Sequence, residues 1–259
     1  MSQVWRAHAK HWQHIGSPLR PCAEDVETFR MAGQLGHTVL LGVTPELAAI
    51  YSNVTAIDLN PAMIKNVWPG DTDVKKAICG DWLHVPFAGA TQGHVVGDGC
   101  PVLLKYPQQQ IQFFEEVARV LRIGARLTVR VFVAPDVPEI TESIFTQAIS
   151  NQIGSFHAFK WRLAMSLVAE SGTPNIVLNH IYSTFDEAFP NRALLSKYTG
   201  WLGSDIATID AYCDSTVVYS FPNLKQLRAI VPPMLKEVLC QYGSYELAEC
   251  CPVITWERI

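Results

Sequence analysis

The stretch from residue 38 to residue 87 constrains this chain more than any other. Residues 38–42 are a short apolar run that ends at Gly42. Residues 54–59 are β-branched and close on an acid, Asp58. Residues 76–79 lead straight into Gly80 and Asp81. Helical stretches lie between these runs, so the pattern predicts three parallel strands joined by two crossover helices. A glycine or an aspartate stands at the carboxyl end of each strand. Ligands of open parallel sheets bind at those ends, near the point where strand order reverses.

The spacing assigns chemistry to those ends. Asp58 follows Gly42 by 16 residues, close to the ~20 that separate the glycine turn from the ribose-binding acid in dinucleotide sites. A carboxylate there can accept from both ribose hydroxyls. Gly42 lets the backbone approach a ligand with no Cβ in the way. Thr44, Pro45 and Glu46 read as an N-cap and the first helical residues. Free backbone N–H groups would then point above Gly42.

The motifs in this region resemble those of the class I S-adenosylmethionine-dependent methyltransferases, in particular the type 11 group. Asp58-Leu59-Asn60-Pro61-Ala62-Met63 is similar to the family's acidic motif after its second strand. Gly80-Asp81-Trp82-Leu83-His84-Val85-Pro86-Phe87 fits its Gly-Asp motif. The run from Phe113 to Leu127, with Glu116, Arg119, Val120, Leu121 and Gly124, resembles the helix-to-strand motif that follows. The likeness covers roughly residues 36–134. The first motif departs from the family, which has several glycines where this chain has Leu40-Leu41-Gly42-Val43-Thr44-Pro45.

The resemblance implies an α/β fold: a doubly wound, mostly parallel seven-stranded Rossmann-like sheet with a helical insertion after the fifth strand. It implies S-adenosylmethionine as cofactor. Gly42, Val43 and Thr44 would lie beneath it, and Asp58 would hold the ribose. Asp81 would accept from the adenine amine, with Leu59, Met63 and Trp82 walling the ring and Gly80 preceding them. Asp98, at the end of the expected fourth strand, falls near the reacting methyl group. It is a candidate cofactor contact and general base, although Asp-Gly pairs are also ordinary turns. His157 and Asp136 are further candidate bases.

The expected organisation is an N-terminal helical lid (1–36), a cofactor-binding core (37–134), a helical insertion serving as substrate cap (135–216) and a completion of the core (217–259). Residues 12–21 are expected to close over the cofactor, with Arg20 offering its fork to the methionine carboxylate. The alternative is a segment that merely covers the sheet. Phe156, Phe159, Trp161, Tyr182, Phe185 and Trp201 give the insertion an aromatic content. A helical core accounts for most of them, and an acceptor pocket is the functional reading. Residues 181–189 read as mixed and 217–221 as a short strand. Residues 223–239 read as a long helix broken at Pro232-Pro233, and 245–257 as one or two antiparallel strands.

Composition narrows the remaining classes. A net charge of −4 argues against a broad nucleic-acid footprint. The seven cysteines lack a C-x-x-C pattern, and with no leader pattern they read as those of a reduced cytoplasmic protein. No apolar run approaches the ~20 residues of a membrane helix. His8, His11 and His14 have partial metal-ligand spacing. The third drifts off the helical face, so they read as a solvated face and no metal is expected. The expected activity is methyl transfer to a small, partly apolar molecule. The alternatives are a non-catalytic S-adenosylmethionine-binding protein and a nicotinamide-dependent oxidoreductase. The latter would need G-x-G-x-x-G after the first strand.

Overall fold

A computed structural model describes residues 12–33 and 36–259. His8, His11 and the rest of the expected N-terminal lid before Trp12 lie outside the described residues. The strands in chain order are β1 His37–Leu41, β2 Asn53–Asp58, β3 Lys75–Cys79, β4 Gln92–Asp98, β5 Leu121–Arg130, β6 Asn175–Val177, β7 Val218–Ser220, β8 Leu235–Gln241 and β9 Val253–Arg258. Seven of them form one sheet in the order β3-β2-β1-β4-β5-β9-β8. The first five pair in parallel, and β9 runs antiparallel to both β5 and β8. Strand order reverses between β1 and β4, which sets the crevice where an open parallel sheet takes its ligand.

The apolar runs follow from that architecture. A strand covered by helices on both faces must be apolar at successive positions. Val39 and Leu41 of β1 pack into one cluster with Phe113, Phe114 and Val117 of helix α4 (Gln108–Val120). Leu40 points the other way. It joins Phe29 of α1 (Ala23–Ala32), Leu47 of α2 (Pro45–Ile50) and Met63 of α3 (Pro61–Val67). The Asp58–Met63 motif has a local rationale as well. Asn60 accepts from the Ala62 N–H at 2.9 Å, and Asp58 accepts from the Asn60 N–H at 2.7 Å. Acid and amide together turn the chain from β2 into α3.

Between β5 and β8 lie α5 (Thr141–Ile149), α6 (Phe156–Ser171), α7 (Leu178–Ala188), α8 (Arg192–Thr199) and a short turn of helix at Gly203–Ile206. They enclose a third cluster around Phe156, Phe159, Phe185 and Trp201. The stretch expected to be mixed, 181–189, is therefore mostly helix.

Two expectations are corrected. Residues 223–239 are not one interrupted helix: a helix at Leu224–Ile230 gives way after Pro232-Pro233 to β8. Two prolines remove donors and fix φ, and the chain leaves them extended to pair with β9. The strand near residue 218 pairs with β6 in a small separate sheet rather than with the main one. Gly124 lies beyond the end of α4, which closes at Val120. With φ +77° it lies in the irregular start of β5, where the register with β4 shifts.

Candidate functional site

The carboxyl ends of β1, β2 and β4 open into a cavity at the switch point of the sheet. Gly42, Val43, Thr44, Asp58, Met63, Trp82 and Asp98 all line it. Arg20, Leu59, Gly80, Asp81 and His157 do not.

Gly42 has φ +91°, a left-handed conformation that glycine adopts without penalty. A Cβ there would lie 3.8 Å from Trp82 Cζ2, so it is the backbone and not space that demands glycine. Its N–H donates to the Ile57 carbonyl at 2.7 Å, and the Trp82 indole N–H donates to the same oxygen at 2.7 Å. The indole is thereby held beside the glycine turn. Thr44 occupies the N-cap position of α2 without its side chain capping the helix, and Pro45 opens that helix. Asp58 is half-buried, and burial pushes its carboxyl up to about 6, partly offset by the Asn60 N–H.

The Gly-Asp motif acts at one remove. A Cβ on Gly80 would sit 2.9 Å from Ile57 Cγ2, so glycine keeps the end of β3 close to β2. Asp81 accepts from the Leu83 N–H at 2.9 Å in the following turn, and Leu59 is 64% exposed.

Asp98 belongs to a buried charge cluster. The Arg130 Nε–H donates to it at 2.5 Å. The same guanidinium donates to the Pro18 carbonyl at 2.8 Å and to Asp25 at 3.2 Å. Tyr245 donates to Asp25 at 3.0 Å. Burial raises the Asp98 carboxyl while the Arg130 charge opposes it. The end of β5 thus ties the cavity acid to the N-terminal segment. Arg20 is also engaged: it ion-pairs with Glu46, donates to the Trp12 carbonyl at 3.2 Å and lies 5.0 Å from the Trp12 ring centre. His157 is buried against the N-terminal segment. Its Nε2 lies 2.7 Å from the His14 carbonyl, and burial, aided by Lys160, drives its imidazole down to about 3.

Sequence reasoning missed the far wall. Phe132, Tyr212 and Tyr219 line the cavity, together with Trp161. Of the six aromatics singled out in the insertion, Trp161 alone does so. Phe156 and Phe159 are fully buried in the third cluster instead. Periodicity carries little signal here, because α6 is buried on nearly all sides.

Residues 42–129 match the family model of the methyltransferase domain. Residues 42–129 are a methyltransferase domain, similar to those of the class I S-adenosylmethionine-dependent enzymes. S-adenosylmethionine is the cofactor of this methyltransferase domain. Solved structures share the fold along nearly the whole chain. A SAM-dependent methyltransferase from Methanosarcina mazei is 13% identical, with a TM-score of 0.54 over 93% of this chain and 99% of its own. A protein from Pyrococcus horikoshii OT3 is 11% identical, with a TM-score of 0.51 over 96% and 98%. One provisionally named a Zn-dependent alcohol dehydrogenase, from Rhodobacter sphaeroides, is 12% identical, with a TM-score of 0.55 over 98% of each. At such identities the likeness is one of fold. No curated protein matches the sequence. Among the described residues, no His, Cys, Asp and Glu group could hold a metal, and no helix is long and apolar enough to cross a membrane.

Proposed function

We propose that this protein holds S-adenosylmethionine at the ends of β1 and β2 and methylates a small, partly apolar molecule. The observation that carries the reading is the meeting of Asp58, Gly42, Met63 and Trp82 in one cavity at the switch point of the sheet. Bound there, S-adenosylmethionine would supply a sulfonium methyl for in-line transfer to an acceptor's lone pair. The protein's part is positioning in a water-poor site, a contribution of ~7–11 kcal/mol when alignment is good.

Asp58 would accept from the ribose hydroxyls, and Met63 and Trp82 would bracket the adenine. Asp81 and Leu59 stand outside the cavity wall, next to the place where the adenine edge would emerge. Asp98, with its charge held by Arg130, is better suited to accept from the cofactor's ammonium than to remove a proton. His157, neutral and away from the cavity, is left out of the chemistry. The seven free cysteines support a reducing, cytoplasmic setting.

A non-catalytic S-adenosylmethionine-binding role is the second reading, favoured by the single glycine of the first loop. A nicotinamide site lacks support because Gly42-Val43-Thr44 supplies no second glycine. Calorimetry with S-adenosylhomocysteine tests the assignment. Asp58→Asn should weaken binding by ~1.5–3 kcal/mol per lost charged hydrogen bond. Wild-type affinity in that variant refutes the ribose role. Tight binding with no turnover on any acceptor favours the second reading.

A further inference from the structure

The cavity is built from two halves. The ends of β1 and β2 make one. Phe132, just after β5, and Trp161, Tyr212 and Tyr219 of the intervening segment make the other. We propose that the second half takes a flat, uncharged aromatic acceptor bearing a hydroxyl or carbonyl oxygen, in chemical class a phenol or hydroxyaryl ketone. This rests on the cofactor reading above, which leaves that half free for the acceptor.

The rings form a fixed frame. The Trp161 indole meets Phe132, Tyr219 and Phe221 edge to face, with centres 5.2, 5.7 and 5.3 Å apart and planes at 83°, 85° and 84°. Such contacts hold each ring in place. The frame is therefore preformed and favours a planar guest.

Charge narrows the guest further. Among the described residues the lining holds no Lys, Arg or His, and its acids are Asp58 and Asp98. A carboxylate or phosphate on the guest would find no cationic side chain in the lining to pair with. A cation could use the ring faces. Two donors argue against that: the indole N–H groups of Trp12 and Trp161 are buried without a hydrogen-bond partner, and both residues line the cavity. An indole N–H can only donate, and buried donors are normally paired. An oxygen on the guest satisfies them, whereas an ammonium leaves them empty.

The acceptor atom follows from the same surroundings. Asp98 is bound to Arg130, so no free carboxylate is left beside the rings to remove a proton from an alcohol. A phenol, with a pKa of about 10, ionises far more readily. Its oxygen forms the bond to the methyl carbon, the C–S bond breaks with its pair going to sulfur, and the phenolic proton passes to water.

The test uses the full-length protein saturated with S-adenosylhomocysteine and 4-hydroxyacetophenone as probe, read by equilibrium binding. The ketone should bind at least tenfold tighter than 4-hydroxybenzoate, phenyltrimethylammonium or cyclohexyl methyl ketone. Trp161→Phe keeps a ring and removes the N–H, so it should weaken the ketone about tenfold, one hydrogen bond's worth, with S-adenosylhomocysteine affinity unchanged. Trp12→Phe is the second variant and should likewise weaken the ketone about tenfold. No binding of the ketone, equal or tighter binding of the benzoate, the ammonium or the cyclohexyl ketone, or indifference to both substitutions overturns the proposal. The cofactor is titrated separately. A protein that ranks the probes as expected but does not bind S-adenosylhomocysteine overturns the cofactor reading and leaves the ring pocket standing.

Discussion

Arg130 offers the sharpest test of how this site is held together. Its side chain is fully buried, and it bonds Asp98 at 2.5 Å and Asp25 at 3.2 Å, whose side chains are only 5% and 2% exposed. It also takes up the Pro18 carbonyl. Arg130→Leu leaves two carboxylates in the interior with no counter-charge. Removing one partner of a buried pair costs ~3–5 kcal/mol, and that is the expected loss in urea unfolding at pH 7.5, followed by tryptophan fluorescence. The pH dependence gives a second reading. Burial already raises the Asp98 carboxyl, and Arg130 opposes the rise. Without Arg130 the folded-state value climbs further above the unfolded ~3.9. The folded variant then binds protons that the unfolded chain has released, so its stability falls as pH rises from about 4 through the raised value. The deficit should be full at pH 7.5 and shrink on acidification. Adding Asp98→Asn to Arg130→Leu should recover part of it, a non-additivity expected of groups in contact. A loss below ~1 kcal/mol at pH 7.5, or a deficit that grows as pH falls, refutes the reasoning.

Three further outcomes are expected. Asp58, raised to about 6 by burial, makes folding less favourable as pH rises from about 4 to about 6. Asp58→Asn should therefore stabilise the ligand-free protein above pH 6, by at most ~3 kcal/mol, while S-adenosylhomocysteine binding to the wild type weakens below pH 6. Glu46→Gln should release Arg20 and tighten S-adenosylhomocysteine, and Arg20→Ala should weaken it by ~1.5–3 kcal/mol. Methylthioadenosine, which lacks the carboxylate, should notice neither change; equal effects on both ligands in calorimetry refute the carboxylate contact. Lys160 is buried, donates to Thr208 at 2.9 Å and is pushed down to about 7. The unfolded chain holds that proton up to about pH 10.4, so wild-type stability should rise between pH 7 and 10. Lys160→Met should flatten that rise and melt higher at pH 7; an unchanged slope places the titration elsewhere.

The part of this protein legible in its sequence is the part governed by short-range rules. Apolar runs of strand length, each ending at Gly or Asp, predict β1 to β3 and the side of the sheet where a ligand sits. Asp58 and Asn60 turn the chain by bonds to residues two positions on, so their motif carries its own geometry. Gly42 is readable for the same reason, because its left-handed φ is a local requirement. Long-range pairing decided the rest. Residues 235–241 form a strand because β9 offers them a ladder, which no local pattern reports. Asp98 reads as a free carboxylate until Arg130, 32 residues away, is placed against it, and Arg20 reads as a free fork until Glu46, 26 residues away, takes it. In α6 nearly every side chain is buried. A helix apolar all round has no sequence-visible inner face, so only the packed structure separates Trp161 on the cavity wall from Phe156 and Phe159 in the core.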